Sequence, residues 1–209
     1  MSEPDNISQI RVPQLAQLRA LIVEDNPDDE ALLLRAVRKA GVEVEHQRVE
    51  TAAEMQHALA QREWDIVLSD YHLPRFSATE ALNLLQESGL GIPFIIISGT
   101  IGEDVAVEAL KVGASDFLVK GRLVRLVAAI QRALFEAEVF RERRRVEQAL
   151  KESELQYRRI VETTLEGIWM VDQRGVTQYV NATFASMLQS TPEALEGRSD
   201  SRIDVAELT

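Results

Sequence analysis

Short apolar runs alternate with helical spacings along the first two thirds of the chain. Residues 18–23 form a short run, apolar apart from Arg19, that breaks at Glu24-Asp25-Asn26-Pro27, which predicts a buried strand closed by turn residues. Over 28–39, Leu32, Leu33, Ala36 and Val37 recur at helical spacing, and Gly41 supplies the stop. Residues 42–49 alternate as a second strand, and 52–61 set Met55, Ala58 and Leu59 on one helical face. Residues 64–69 predict a third strand ending at Asp70, and 79–86 a helix. Residues 93–98, with three consecutive isoleucines, have no polar face and predict a strand covered on both sides. A helix over 103–112, closed by Gly113, leads to a fifth strand over 116–120, and a further helix starts near Arg122. Five strands alternating with five helices predict an α/β fold of right-handed βαβ units. The expected form is a flavodoxin-like, doubly wound, five-stranded parallel sheet.

Residues 122–157 contain neither Pro nor Gly. Leu126, Val127, Ile130 and Leu134 can pack on the sheet, whereas Arg141-Glu142-Arg143-Arg144-Arg145 must stay in water, as a solvated, salt-bridged face. Val146, Leu150, Ser153, Tyr157 and Ile160 then resume heptad spacing. This predicts a long linker helix, coiled-coil-like, with homodimerisation as its consequence; the competing reading is a solvated helix tucked against its own domain. Beyond Ile160 the texture changes. Residues 167–172, then Arg174-Gly175 and 176–180, predict a hairpin turning at 172–175, followed by a short helix over 183–188. Too few residues remain to close a second core, so a partial α+β segment is expected.

Composition narrows the chemistry. The chain has 209 residues, 45% of them apolar and 27% charged, enough for a substantial core. Its net charge of −11 argues against nucleic acid as the main partner and suits carboxylates gathered around a divalent cation. With no cysteine, disulfides, thiolate zinc sites and Cys nucleophiles are excluded, and a reducing compartment is expected. Met1 to Pro13 is polar without an apolar core, so no signal peptide is predicted, and no apolar run approaches the roughly 18 residues of a membrane span. The expected location is cytoplasmic, away from membranes.

In an open parallel sheet, ligands bind outside the carboxyl ends of the strands. Those ends carry Glu24 and Asp25 after the first strand, Asp70 after the third, Ser98 after the fourth and Lys120 after the fifth. Singly, each has a plain alternative: Asp25 caps a helix, Asp70 sits in a turn, Lys120 is a solvated charge. Together they form a set. Carboxylates held close attract an oxygen-loving cation such as Mg²⁺. A carboxylate can also act as a nucleophile toward a phosphoryl group, with a metal and a lysine neutralising the transferred charge.

Leu21-Ile22-Val23-Glu24-Asp25-Asn26, Leu68-Ser69-Asp70-Tyr71-His72-Leu73-Pro74, Ile97-Ser98-Gly99-Thr100 and Phe117-Leu118-Val119-Lys120 resemble the signature segments of response-regulator receiver domains of two-component signalling. The resemblance covers about residues 19–134. It implies that Asp70 accepts a phosphoryl group from a phosphohistidine on a histidine kinase or phosphotransfer protein. It further implies Mg²⁺ held by Glu24, Asp25, Asp70 and the backbone carbonyl of His72, with Lys120 on the phosphoryl oxygens. Ser98 and Phe117 would form the switch pair, acting on the face of the fourth helix, fifth strand and fifth helix. The sequence departs from the family where Gly121 follows Lys120, a place usually held by Pro, and where Ser98 stands in for the commoner Thr. The C-terminal part, Glu154 to Tyr157, Gly167-Ile168-Trp169, Tyr179 to Ala182 and Gly197-Arg198, resembles the first half of a PAS domain. It offers no histidine for haem and no cysteine for a flavin adduct.

The expected division is therefore a receiver at 14–122, a helical linker at 123–156 and an incomplete PAS-like segment at 157–209. Such a protein catalyses only its own phosphorylation and dephosphorylation; no histidine kinase or diguanylate cyclase signature is present. Two alternatives are a phosphorylation-independent interaction module and an aspartyl-phosphate phosphohydrolase. The hydrolase is disfavoured because His72 stands where a second acid is wanted, two residues after the nucleophile.

Overall fold

A computed structural model describes residues 15–99 and 103–198, the side chains of Glu103 and Asp104 excepted. Residues 1–14, 100–102 (Thr100 among them) and 199–209 fall outside the described residues. The chain divides into two compact units between Glu142 and Arg143.

The first unit runs β1 (Gln17–Val23), α1 (Pro27–Lys39), β2 (Glu43–Val49), α2 (Ala52–Gln61), β3 (Ile66–Asp70), α3 (Ala78–Ser88), β4 (Phe94–Ser98), α4 (Glu103–Val112) and β5 (Asp116–Val119). A 3-10 turn, Lys120–Arg125, leads into α5 (Leu126–Thr163). The five strands are parallel in the order β2-β1-β3-β4-β5, the flavodoxin-like arrangement expected. Successive strand side chains point to opposite faces, so an unbroken apolar run feeds two cores at once. Leu18, Ala20 and Ile22 of β1, with Ile66, Leu68, Ile95 and Ile97, pack under Leu33 and Val37 of α1 and Leu126 and Ile130 of α5. Leu21, Val23, Val67, Phe94 and Ile96 face the other way, against Met55 and Leu59 of α2 and Leu82 and Leu85 of α3.

Two local expectations are corrected, and the alternative of Asp25 as helix cap is not realised. Leu32 is 50% exposed, and Leu34 joins Leu33 and Val37 inside, because the buried arc of α1 is centred about one residue further along than the pattern suggested. The helix is capped by Asn26, whose side chain accepts from the Asp28 N–H, which leaves the Asp25 carboxylate for other work. Lys120 opens the 3-10 turn instead of ending β5, and regular α-helix begins only at Leu126; Arg122, with φ −127° and ψ 38°, breaks the helical path between them.

Asp65, just ahead of β3, joins the start of that strand to β1. It accepts from the Arg19 backbone N–H and from the Arg19 guanidinium, both at 2.7 Å, while its own N–H donates to Arg19 O at 2.9 Å. Burial works to raise its pKa, but the hydrogen bonds from Arg19 outweigh this and hold the carboxyl below its ordinary value. A depressed folded-state pKa contributes stability above the unfolded value, which is lost as pH falls through the folded one. Asp65→Asn is therefore expected to cost about 1 kcal/mol at neutral pH and to flatten the acid side of the stability profile. Urea unfolding at a series of pH values checks this, and an unchanged acid slope would count against it.

The second unit takes up the remainder of α5, then β6 (Trp169–Val171) and β7 (Thr177–Val180) as an antiparallel hairpin, α6 (Ala182–Met187) and α7 (Pro192–Leu195). Gly175 closes the hairpin turn at φ +77°, and its N–H donates to Asp172 O. Trp169 stacks on Phe184, and its indole N–H donates to Thr177 Oγ1 at 3.1 Å. Asn181 is fully buried and uses all four of its side-chain hydrogen bonds. Nδ2 donates to Val161 O and Glu166 O, and Oδ1 accepts from the N–H groups of Ile168 and Phe184. It thereby caps α6 and ties it to the last turn of α5. Among the described residues, no helix is long and apolar enough to cross a membrane.

Candidate functional site

Strand order reverses at β1, between β2 on one side and β3 on the other, and a crevice opens there at the carboxyl ends. Glu24 and Asp25 leave the end of β1, and Asp70 is the last residue of β3; pairing of Val23 with Ser69 sets Glu24 level with Asp70. Ser98 ends β4 opposite Val119, so Lys120 emerges beside it. The five strand-end residues picked out in the sequence share this edge.

Glu24, Asp25 and Asp70 each offer a carboxylate oxygen within 4.8 Å of the others. Glu24 is 1% exposed and Asp70 8%. The Lys120 ammonium lies among them and donates to Asp29 Oδ2 at 2.5 Å, Asp70 Oδ2 at 2.9 Å and Glu24 Oε2 at 3.1 Å. The Asn26 N–H supplies a second donor to Glu24, at 3.1 Å. Burial pushes the Glu24 carboxyl above its usual range, helped by the Asp70 charge and opposed by the hydrogen bonds from Lys120 and Asn26. For Lys120, burial opposes the charge, but bonds to Asp29, Asp70 and Glu24 prevail and hold the ammonium above its ordinary pKa. The donor set fits a hard cation. It consists of oxygens alone, on three converging carboxylates, two of them buried, and Mg²⁺ needs only one or two carboxylates with waters completing its octahedron.

The other expected residues line the same edge. Ser98 is buried at the end of β4. Phe117, second in β5, is half-buried; its ring meets Tyr71 edge-on at 6.4 Å. Tyr71 in turn meets His72 at 4.7 Å. The His72 side chain is exposed.

Two participants were not picked out in the sequence. Asp29 makes the shortest contact to Lys120, across 91 residues of chain. Arg48, at the end of β2, donates to the backbone carbonyls of Glu24 at 3.0 Å and Asp25 at 3.2 Å and is ion-paired with Glu30. The available signal was the acidic first turn of α1, Asp28-Asp29-Glu30, which by itself complements the helix dipole. Helical rotation separates the three: Asp28 faces solvent, Asp29 reaches Lys120, and Glu30 pairs with Arg48 and His46.

The response regulator receiver domain model matches residues 20–131, and a PAS fold model matches residues 155–201. The chain belongs to the response regulator receiver family, its receiver being that of a two-component response regulator and followed by a segment that matches the PAS fold model. The response regulator protein PilR of Pseudomonas aeruginosa is 32% identical over 122 residues, which are 56% of this chain and 27% of PilR. The C4-dicarboxylate transport transcriptional regulatory protein DctD of the same species is 31% identical over 106 residues, 50% of this chain and 22% of DctD. The chain thus spans about a quarter of the length of these curated relatives. Among solved structures, full-length FixJ from B. japonicum superposes with a TM-score of 0.54 at 27% identity, covering 66% of this chain and 67% of FixJ. A response regulator receiver domain protein from Clostridium thermocellum shares the fold, with a TM-score of 0.52 at 21% identity, over 59% of this chain and 98% of that one.

Proposed function

We propose that this chain is a phosphorelay response regulator in which Mg²⁺-dependent phosphorylation of Asp70 by a phosphohistidine partner drives signalling. The observation that carries the reading is the Lys120 ammonium hydrogen-bonded to Asp70 and Glu24 inside a converging set of carboxylates. An Asp70 carboxylate oxygen attacks phosphorus as the P–N bond to the donor imidazole breaks. The nitrogen keeps the bonding pair, and an acyl phosphate forms on Asp70. Glu24, Asp25, Asp70 and the His72 carbonyl would hold Mg²⁺, which when bound neutralises charge on the transferred group. Lys120 orients and neutralises the phosphoryl oxygens. Ser98 closes on the phosphoryl group and Phe117 turns inward with it, which biases the α4-β5-α5 face.

The proposed division is a receiver at 14–122, a linker at 123–156 and the N-terminal part of a PAS module at 157–209, with signal passing along α5 toward PAS and output modules. Val146, Leu150, Tyr157 and Ile160 of α5 are more than half exposed at heptad spacing, which supports a homodimer through this helix. The receiver's own chemistry is self-phosphorylation and dephosphorylation, and the composition supports a cytoplasmic setting without nucleic-acid or membrane partners.

Intact-mass measurement after incubation with Mg²⁺ and acetyl phosphate tests the central claim. One phosphoryl group should be gained by the wild type and none by Asp70→Asn. Sedimentation of the same samples reports whether phosphorylation alters dimerisation. A wild type that gains no phosphoryl group would overturn the reading.

A further inference from the structure

We propose that Asp29 is a positioning residue for Lys120: it holds the ammonium in place when the other carboxylates turn to metal and phosphoryl group. The proposal rests on the phosphoacceptor reading above and concerns a side chain to which that reading gives no role.

A lysine ammonium has three donors, and here all three are taken, by Asp29, Asp70 and Glu24. Two of these acceptors also belong to the carboxylate set close enough to share a cation; Asp29 does not. A cation entering that set competes with Lys120 for Glu24 and Asp70, and phosphorylation converts the Asp70 carboxylate into an acyl phosphate. Asp29 is the acceptor that neither event removes. It sits in the first turn of α1, two residues after Pro27, on a backbone fixed at its N-terminus by the Asn26 cap. Its carboxylate is about a quarter exposed and Lys120 about a fifth, so the pair is shielded enough to direct the lysine stem. With one donor anchored at Asp29, the remaining two stay aimed at the Asp70 side of the crevice. Without that anchor, the four-carbon stem recovers its rotamers and the ammonium spends less time where the transferred oxygens arrive.

Simple charge arithmetic predicts the opposite effect. Removing a negative charge beside the crevice should ease the approach of an anionic phosphodonor. The sign of the rate change therefore separates positioning from bulk electrostatics.

The test is the full chain and its Asp29→Asn variant with acetyl phosphate at saturating donor and Mg²⁺, with phosphorylation followed by intact mass. Mg²⁺ affinity is measured separately by calorimetry, and thermal unfolding controls for folding. Asp29→Asn keeps the shape and a helix-compatible side chain. Its maximal phosphorylation rate is expected to fall about tenfold while the Mg²⁺ dissociation constant stays within about twofold of wild type. A rate equal to or above wild type overturns the proposal. So does a loss of Mg²⁺ affinity as large as the loss in rate, because Asp29 would then act on the cation instead of Lys120. If the wild type itself takes up no phosphoryl group, the phosphoacceptor reading falls and the proposal with it; a phosphorylated wild type with an unimpaired variant refutes the role of Asp29 alone.

Discussion

Replacing Lys120 with methionine is expected to destabilise the metal-free protein by about 3 kcal/mol and to make its stability strongly dependent on Mg²⁺. The ammonium is the cation bonded to both Glu24 and Asp70, which are 1% and 8% exposed. Removing one partner of a buried ionic cluster costs more than the pair contributes, because the charges left behind keep their desolvation penalty and lose their compensation. Here the residue of that loss is a set of carboxylates within 4.8 Å, with Asp29 also stranded. A divalent cation bound to the folded state and not to the unfolded chain restores stability by mass action, about 2.7 kcal/mol at a hundredfold excess over its dissociation constant. Chemical denaturation with EDTA and with excess Mg²⁺ measures both quantities. The variant should lie far below wild type in EDTA and recover much of the difference in Mg²⁺. Equal stability of the two proteins in EDTA would mean that the carboxylates do not depend on Lys120 for compensation.

Asn181→Ala is expected to destabilise the second unit by about 3 kcal/mol or more while leaving the receiver core intact. The alanine leaves the Ile168 and Phe184 N–H groups and the Val161 and Glu166 carbonyls without the partner they share. Asn181 is fully buried, so water cannot substitute without opening the structure. The apolar cluster beside it is small, centred on Val180, Phe184 and Ala185 with Trp169 and Leu188 packed against them, so a fully satisfied polar hub carries a large share of the local order. Hydrogen exchange gives the measurement. The Ile168 and Phe184 amides should lose protection by orders of magnitude, whereas amides in β3 and β4 should exchange as in the wild type. Retained protection at Ile168 would show that the hairpin and α5 are held together by other contacts.

The elements were legible because apolar period and turn residues coincide. β1, β3 and β4 are runs flanked by turn residues, and a strand buried on both faces has no other way to look. The Ser77–Glu80 capping box that starts α3 was equally open to reading, as Ser-Ala-Thr-Glu ahead of an apolar run. Leu32 was misplaced because four adjacent apolar residues on a helix, Ala31 to Leu34, fit more than one buried arc, and only the sheet beneath chooses among them. The start of α5 was misplaced because Arg122 to Arg125 contains no Gly or Pro to mark a break; the departure from helix comes from the backbone at Arg122, not from residue type.

By itself, the sequence determined which groups stand at the carboxyl ends of the strands: Glu24, Asp25, Asp70, Ser98 and Lys120 follow from strand assignments that need only one-dimensional pattern. Their convergence required the strand order, since the same runs threaded in another order would scatter them along the sheet. Tertiary structure alone decided that Asp29, rather than Asp28 or Glu30, meets Lys120. It also decided that Asn181 meets four backbone groups drawn from α5, the loop ahead of β6 and α6. The physical reason is common to both. Burial is written into composition and period and can be read from the chain, whereas a hydrogen bond between residues far apart in sequence depends on helix rotation and side-chain direction, which are set only when the elements pack.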